Sequence, residues 1–182
     1  MDGFVSRAQS GDRQAAHALL TELLPRVRNL VRYFVRGDDD VDDIAQEALL
    51  AILLGLSGYR GDGAFKSWVD RIVARTVFAW LKKARRARDQ MTARPIDLVI
   101  VRDASPSPDQ YVLRRDAMRS LDELPLEQRH VLVLHHVLEM TVPEIAEEVS
   151  VPEETVRSRL RLARGRLAAA REVADPEGRA AS

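Results

Sequence analysis

Few side chains in this sequence have the types and spacing of covalent or metal chemistry. His135, His136 and Glu139 come nearest, since His136-x-x-Glu139 sets two zinc-type ligands on one helix face. No second carboxylate–histidine motif accompanies them. Their neighbours Leu132, Leu134 and Leu138 have the look of a helix core, which makes the histidines structural or surface residues. The chain has no cysteine, which excludes disulfides, thiolate zinc sites, iron–sulfur clusters and a cysteine nucleophile. It also lacks a P-loop, a dinucleotide-binding glycine pattern and G-x-S-x-G. No cofactor, no metal and no enzymatic activity are expected. What remains is the non-covalent chemistry of cations, aromatic rings and carboxylates.

That chemistry is strongly segregated. Lys+Arg and Asp+Glu are both 28, so a uniformly basic binder of nucleic acid is excluded, while separate acidic and basic faces are allowed. Asp38, Asp39, Asp40, Asp42, Asp43 and Glu47 form an acidic block without a base. It is not a calcium loop, because glycine and glutamate are missing from the sixth and twelfth positions. Between Lys66 and Arg94 nine bases face only Asp70 and Asp89. Between Arg157 and Arg171 there are six arginines and no acid. Such stripes are the footprint of phosphate binding or, equally at this level, solvated helix faces.

Near the C-terminus, Thr141-Val142-Pro143-Glu144 and Ser150-Val151-Pro152-Glu153 both have the S/T-x-x-E form of a capping box. Two helix starts nine residues apart demand a short helix, a sharp turn and a second helix. Ile145, Ala146 and Val149 line the core of the first helix, and Val156, Leu160, Ala163 and Leu167 that of the second. The opposite face bears Glu154, Arg157, Ser158, Arg161 and Gly165, with Arg164 at its edge. A helix of this kind suits the DNA major groove, with early side chains at base edges and later arginines on phosphates.

The N-terminal half offers two further faces. A helix from Val41 to Leu56 has a core stripe of Val41, Ile44, Ala45, Ala48, Leu49, Ile52 and Leu56, and an outer face of Asp43, Glu47, Leu50 and Leu54. Leucines among acids suit a protein-docking surface. Packing on a helix over 15–35 explains them equally well. A helix from Phe65 to about Arg86 buries Phe65, Val69, Ile72, Thr76 and Trp80, and shows Arg71, Arg75, Phe78, Lys82 and Arg85 on its other side, with Trp68 at the boundary. Bases interleaved with rings suit single-stranded nucleic acid, and the glycine-rich stretch from Gly55 to Gly63, expected to be a flexible loop, suits an extruded base. Trp68 and Phe78 also suit an ordinary core.

These faces need helices to carry them. Helix formers abound and no long alternating pattern occurs, so the fold class is all-α: two small helical domains joined by a flexible linker. The expected parse is a helical domain over 1–90, a Pro-containing linker over 91–115, a helix-turn-helix domain over 116–172 and a disordered tail over 173–182. No apolar run approaches a membrane span, and no signal-peptide pattern opens the chain, so the expected compartment is the cytoplasm.

The segments 42–52 (DDIAQEALLAI) and 65–72 (FKSWVDRI) resemble region 2 of bacterial extracytoplasmic-function (ECF) sigma factors. The segments 121–129 (LDELPLEQR), 144–160 (EIAEEVSVPEETVRSRL) and 163–167 (ARGRL) resemble region 4, and the resemblance runs from about Ala15 to Ala170. It implies a sigma region 2 helical bundle, a sigma region 4 helix-turn-helix, and a dissociable promoter-specificity subunit that is monomeric when active. Core RNA polymerase, promoter DNA and an anti-sigma factor are the implied partners. By this resemblance Asp43, Gln46, Glu47, Leu50 and Leu54 belong to the polymerase-docking helix. Tyr59, Lys66, Trp68, Arg71, Arg75, Phe78, Lys82 and Arg85 belong to the part that recognises and opens the −10 element. Glu154, Thr155, Arg157, Ser158, Arg161 and Arg164 belong to the helix that reads the −35 element. The chain departs from the family pattern at Arg75 and Ala79, where Asn and Asp are frequent, at Ser150, where Gly is frequent, and at Glu154, where a small residue is frequent. A stand-alone helix-turn-helix regulator is the competing reading. It leaves the acidic, leucine-bearing face and the aromatic-basic helix without a purpose.

Overall fold

The computed structural model describes residues 2–90 and 117–174, with side chains over 3–86 and 117–170. The linker expected at 91–115 lies outside the described residues, as do residues 175–182 of the expected tail, whereas Val173 and Ala174, expected in that tail, are the last residues of a helix. Among the described residues there is no strand, and the chain divides into two compact units, Met1–Val101 and Arg102–Ser182. The all-α architecture of two helical domains is thus the observed one. No helix among the described residues is long and apolar enough to cross a membrane.

The first unit holds α1 (Asp2–Gln9), α2 (Arg13–Phe34), α3 (Val41–Gly55), a 3-10 turn at Leu56–Gly58 and α4 (Phe65–Gln90). Gly11, at φ +91°, reverses the chain after α1. Asp12 then starts α2, its carboxylate accepting from the backbone N–H groups of Gln14 and Ala15 at 2.9 and 3.0 Å. Arg7 donates to the same carboxylate through Nε and Nη2, at 2.9 and 2.5 Å, which fixes α1 to the start of α2. The Ala15 N–H and then the Arg7 guanidinium hold this carboxyl below the usual carboxylate range.

The stripe expected on α3 is buried at Val41, Ile44, Ala45, Ala48, Ile52 and Leu56, with Leu49 half-buried. It meets Leu19, Leu23, Val27, Leu30, Val31 and Phe34 of α2, all buried. On α4 the burial is rotated from expectation. Val69, Val73, Ala74 and Val77 form its core face with Phe65, whereas Ile72, Thr76 and Trp80 are only half-buried. The reason is Asp70, a charge that pattern reasoning sends to solvent. It lies inside, where the Arg26 guanidinium of α2 forks onto its carboxylate, Nε donating to Oδ1 at 2.8 Å and Nη2 to Oδ2. Pairing lets a carboxylate take an inward position and turns the helix accordingly.

The second unit holds α5 (helical over 117–122), α6 (Leu126–His136), α7 (Val142–Glu148) and α8 (Glu153–Ala174). Pro125 sits immediately before α6, where its missing N–H costs nothing. The core is Leu124, Val131, Leu132, Leu134, Met140, Ile145, Val156, Leu160 and Ala163. Arg129 is also fully buried, donating to Asp122 at 2.6 Å and so tying α6 to α5. Thr141 caps α7 with the full reciprocal box that the sequence motif anticipates.

The second expected box does not form. α8 begins at Glu153, and the carbonyl of Pro152 accepts from Thr155 and Val156, so Pro152 holds the cap position. Ser150 instead ends α7 in the left-handed region at φ 52°. Its N–H donates to the Glu147 carbonyl, and the next N–H, of Val151, reaches back to Ala146 at 3.0 Å. This is the Schellman ending, whose left-handed position favours glycine.

Candidate nucleic-acid interface

α8 presents the arginine face that its periodicity predicts. Val156, Leu160 and Ala163 are buried and Leu167 is half-buried, while Glu154, Arg157, Arg161, Arg164 and Gly165 are exposed. Thr155 and Ser158 are half-buried, at the edge of that face. Arg157, Arg161 and Arg164 follow i, i+4, i+7 and line about 10 Å of helix at 1.5 Å per residue. Arg157 carries its own counter-charges: Glu153 lies at 2.6 Å and Glu154 at 3.6 Å. The acids in the first turn also sit favourably at the positive end of the helix dipole.

The zinc reading fails on geometry. α6 ends at His136 and Glu139 lies beyond it at φ 56°, so the two do not share a helix face. His135 Nδ1 is 3.0 Å from the carbonyl of Met140, and Arg164 Nη2 is 3.3 Å from His136 Nε2. Burial, then His135 and Arg164, keep His136 below the usual histidine range, so it is the neutral ring that meets the guanidinium. No cluster suited to a metal occurs among the described residues.

In the first unit, Arg71, Arg75, Lys82 and Arg85 are exposed on α4 and Lys66 is exposed in its first turn. From Arg71 to Arg85 the stripe spans about 21 Å. Phe78 falls within it but is half-buried, its ring edge-on to Phe34 at 5.5 Å, so core and surface share it. Tyr59 and Trp68 gather with Phe65 into an aromatic cluster. Ring centroids lie 5.1 Å apart for Tyr59–Phe65, 5.4 Å for Tyr59–Trp68 and 5.5 Å for Phe65–Trp68. The loop before α4, expected to be flexible, is braced: the Tyr59 hydroxyl donates to the Gly63 carbonyl at 2.6 Å.

The outer face of α3 is open. Asp43, Gln46 and Glu47 are exposed, and Leu50 and Leu54 show 56% and 73% of their surface. Packing of these leucines on α2, the other reading of the pattern, does not occur. Leu53 is exposed as well, a residue of this helix that the apolar pattern does not single out. Part of the acidic block is engaged, with Arg28 and Arg32 of α2 pairing with Asp42 and Asp38 at 2.7 and 2.8 Å. Asp40 has its carboxyl raised above the usual range by partial burial, then by Asp39 and Asp43.

The sequence matches the family model for Sigma-70 region 2 over residues 19–87 and that for Sigma-70, region 4 over residues 114–167. The ECF RNA polymerase sigma factor SigM of Mycobacterium tuberculosis is 34% identical over 159 residues, which cover 87% of this chain and 78% of SigM. The chain belongs to the ECF sigma factor family. The ECF RNA polymerase sigma-E factor of Escherichia coli is 30% identical over 169 residues, covering 88% of each chain. Among solved structures, the sigma factor RpoE of Bartonella quintana, in complex with the anti-sigma factor NepR, aligns over 83% of this chain and 92% of its own. The TM-score is 0.60 and the identity 21%, which makes it a likeness of fold. In this ECF sigma factor the region 2 match begins within α2 and takes in α3 and most of α4, and the region 4 match ends within α8. α1 precedes both.

Proposed function

We propose that this ECF sigma factor divides its work among the three faces described above. The exposed face of α3 (Asp43, Gln46, Glu47, Leu50 and Leu54) docks on core RNA polymerase, where leucines bury apolar area and carboxylates steer toward a basic partner. The loop at Tyr59 and the outer face of α4 (Lys66, Trp68, Arg71, Arg75, Phe78, Lys82 and Arg85) receive the −10 element as it opens. Cations hold phosphates there while rings take unpaired bases, which offsets the cost of unstacking. α8, through Glu154, Thr155, Arg157, Ser158, Arg161 and Arg164, enters the major groove at the −35 element. The mechanism is binding and strand separation in the cytoplasm, without covalent catalysis. An anti-sigma factor is a further partner of the kind the Bartonella protein was solved with, and the open leucine face of α3 is its natural seat.

The observation that carries this reading is the coexistence, in one chain, of an unpaired acidic and apolar helix face with two separate basic faces. A stand-alone regulator has no use for the first of them. The test is reconstituted transcription with core polymerase on a promoter library, using three forms of the protein. The wild type should start transcripts at defined sites. Arg157→Ala with Arg161→Ala should lose −35 preference and keep polymerase binding, each lost base contact costing about 1–3 kcal/mol. Asp43→Ala with Leu50→Ala should do the reverse. Equal damage to both activities by both pairs sinks the division of labour.

A further inference from the structure

α1 is the element that neither sequence pattern nor family match accounts for, and it ends on a contact with the −10 side of the molecule. Gln9, its last residue, reaches across 47 and 50 positions of sequence to two carbonyls of the segment after α3. Its Nε2 donates to the Leu56 carbonyl at 3.0 Å and to the Tyr59 carbonyl at 2.8 Å. A primary amide has two N–H donors, and here each takes one carbonyl. The two carbonyls bracket the 3-10 turn Leu56–Gly58, whose own closing bond runs from the Tyr59 N–H to Leu56. Gln9 therefore staples that turn from outside, at the point where the chain leaves the core at Leu56 and enters the aromatic cluster at Tyr59.

Both ends of the staple are themselves held. On the α1 side, Val5 is buried and the two Arg7–Asp12 bonds lock the helix to the start of α2. On the loop side, Tyr59 packs on Phe65 and Trp68, and its hydroxyl closes the loop onto Gly63. Between these, the backbone of 59–64 carries no regular structure, and Gly61 stands at φ +82°. Without the amide, the Tyr59 carbonyl loses a protein donor, and the loop is left with its ring contacts, the Gly63 bond and the Tyr59 N–H bond to the Leu56 carbonyl.

We infer that Gln9 is a positioning residue for the −10 loop, and that α1 belongs to the promoter-opening machinery rather than to the scaffold alone. It touches no DNA in this scheme. It fixes the direction of the Tyr59 backbone, and with it the place where an unpaired base meets Tyr59 and Trp68, so the ordering of the loop is done before DNA arrives. This inference rests on the −10 role assigned to the loop above.

The test uses the full chain with core polymerase on a promoter that the wild type transcribes, with opening followed by a fluorescent base analogue in the −10 element. Gln9→Ala removes both donors, and Gln9→Glu keeps the shape but sets a carboxylate against two carbonyls. Gln9→Arg restores a pair of N–H donors on a longer side chain. Ala and Glu variants should open the promoter about tenfold less well, the size of one or two net hydrogen bonds, with affinity for core polymerase unchanged. Arg should recover most of the loss. In the free protein, amides of residues 57–63 should exchange faster in the Ala and Glu variants only. Normal opening by Gln9→Ala, failure of Arg to improve on Ala, or a parallel fall in polymerase affinity overturns the inference. Unchanged amide exchange overturns the staple by itself, whatever the function. A wild type that opens no promoter overturns the −10 reading, and this inference with it.

Discussion

The Arg26–Asp70 pair sets the rotation of α4, and removing half of it should be expensive. The Asp70 carboxylate is 7% exposed and takes both of its bonds from one guanidinium. Arg26→Met leaves that carboxylate buried beside a thioether. Breaking a buried pair in this way typically costs about 3–5 kcal/mol. Arg26 itself keeps 34% of its surface, so water reaches one side of the pair and the lower end, about 3 kcal/mol, is expected. For a unit near 100 residues, each kcal/mol lowers Tm by about 4–8 °C, which puts the variant about 12 °C or more below the wild type. Arg26→Met with Asp70→Leu removes both charges and should return to within about 1 kcal/mol of the wild type. Both tryptophans, Trp68 and Trp80, lie on α4, so urea unfolding followed by their fluorescence reports on this unit alone. A single variant losing less than about 1 kcal/mol, or a double variant no better than the single, refutes the claim that this pair is buried, desolvated and responsible for the phase of α4.

Two further outcomes are expected. Ser150→Gly should stabilise the second unit by about 1 kcal/mol, because the left-handed conformation at φ 52° penalises a Cβ by about 1–2 kcal/mol and glycine returns part of that as unfolded-state freedom; denaturant midpoints of the two proteins decide it. Acid titration should separate Asp12 from Asp40. The lowered carboxyl of Asp12 adds stability that is present above about pH 3.8 and is lost as pH falls through its folded value. The raised carboxyl of Asp40 does the opposite: its contribution is complete below about pH 3.8 and is lost as pH rises through its folded value. Asp12→Asn should therefore lower Tm at pH 7 and Asp40→Asn should raise it, with both differences shrinking in acid; thermal melts at pH 3 and pH 7 check the signs.

On α3 the apolar stripe from Val41 to Leu56 contained the buried face, with Leu49 only half-buried, but the pattern left Leu50 and Leu54 equally open to packing on α2, and only the fold shows them exposed. α4 resisted the same reasoning because a period of apolar residues cannot show that Asp70 finds Arg26 from 44 positions away. Arg129 was illegible for the same reason, since an arginine with no exposed surface is an outcome of its partners and not of its neighbours in sequence. The motif at Ser150 misled in another way. S/T-x-x-E specifies which side chains are available for a cap but not the backbone angle, and at φ 52° the serine is a helix end rather than a helix start. Gln9 left no trace in any periodicity, because a staple between distant segments is a property of the folded chain.

The guanidinium of Arg157 already holds Glu153 at 2.6 Å, with Glu154 close by. A side chain occupied in this way must release a carboxylate before it takes a phosphate or a guanine. Every one of the millions of wrong sites on a chromosome would have to pay that small toll, and a lone encounter with random duplex returns little for it. A promoter presented by polymerase is different, because tethering raises the local concentration of the correct groove and the exchange becomes favourable there. On the −35 role proposed for α8, the two glutamates of its first turn act as a small bias against random duplex, of the few tenths of a kcal/mol that an exposed i, i+4 pair supplies, about 0.3–0.5 kcal/mol.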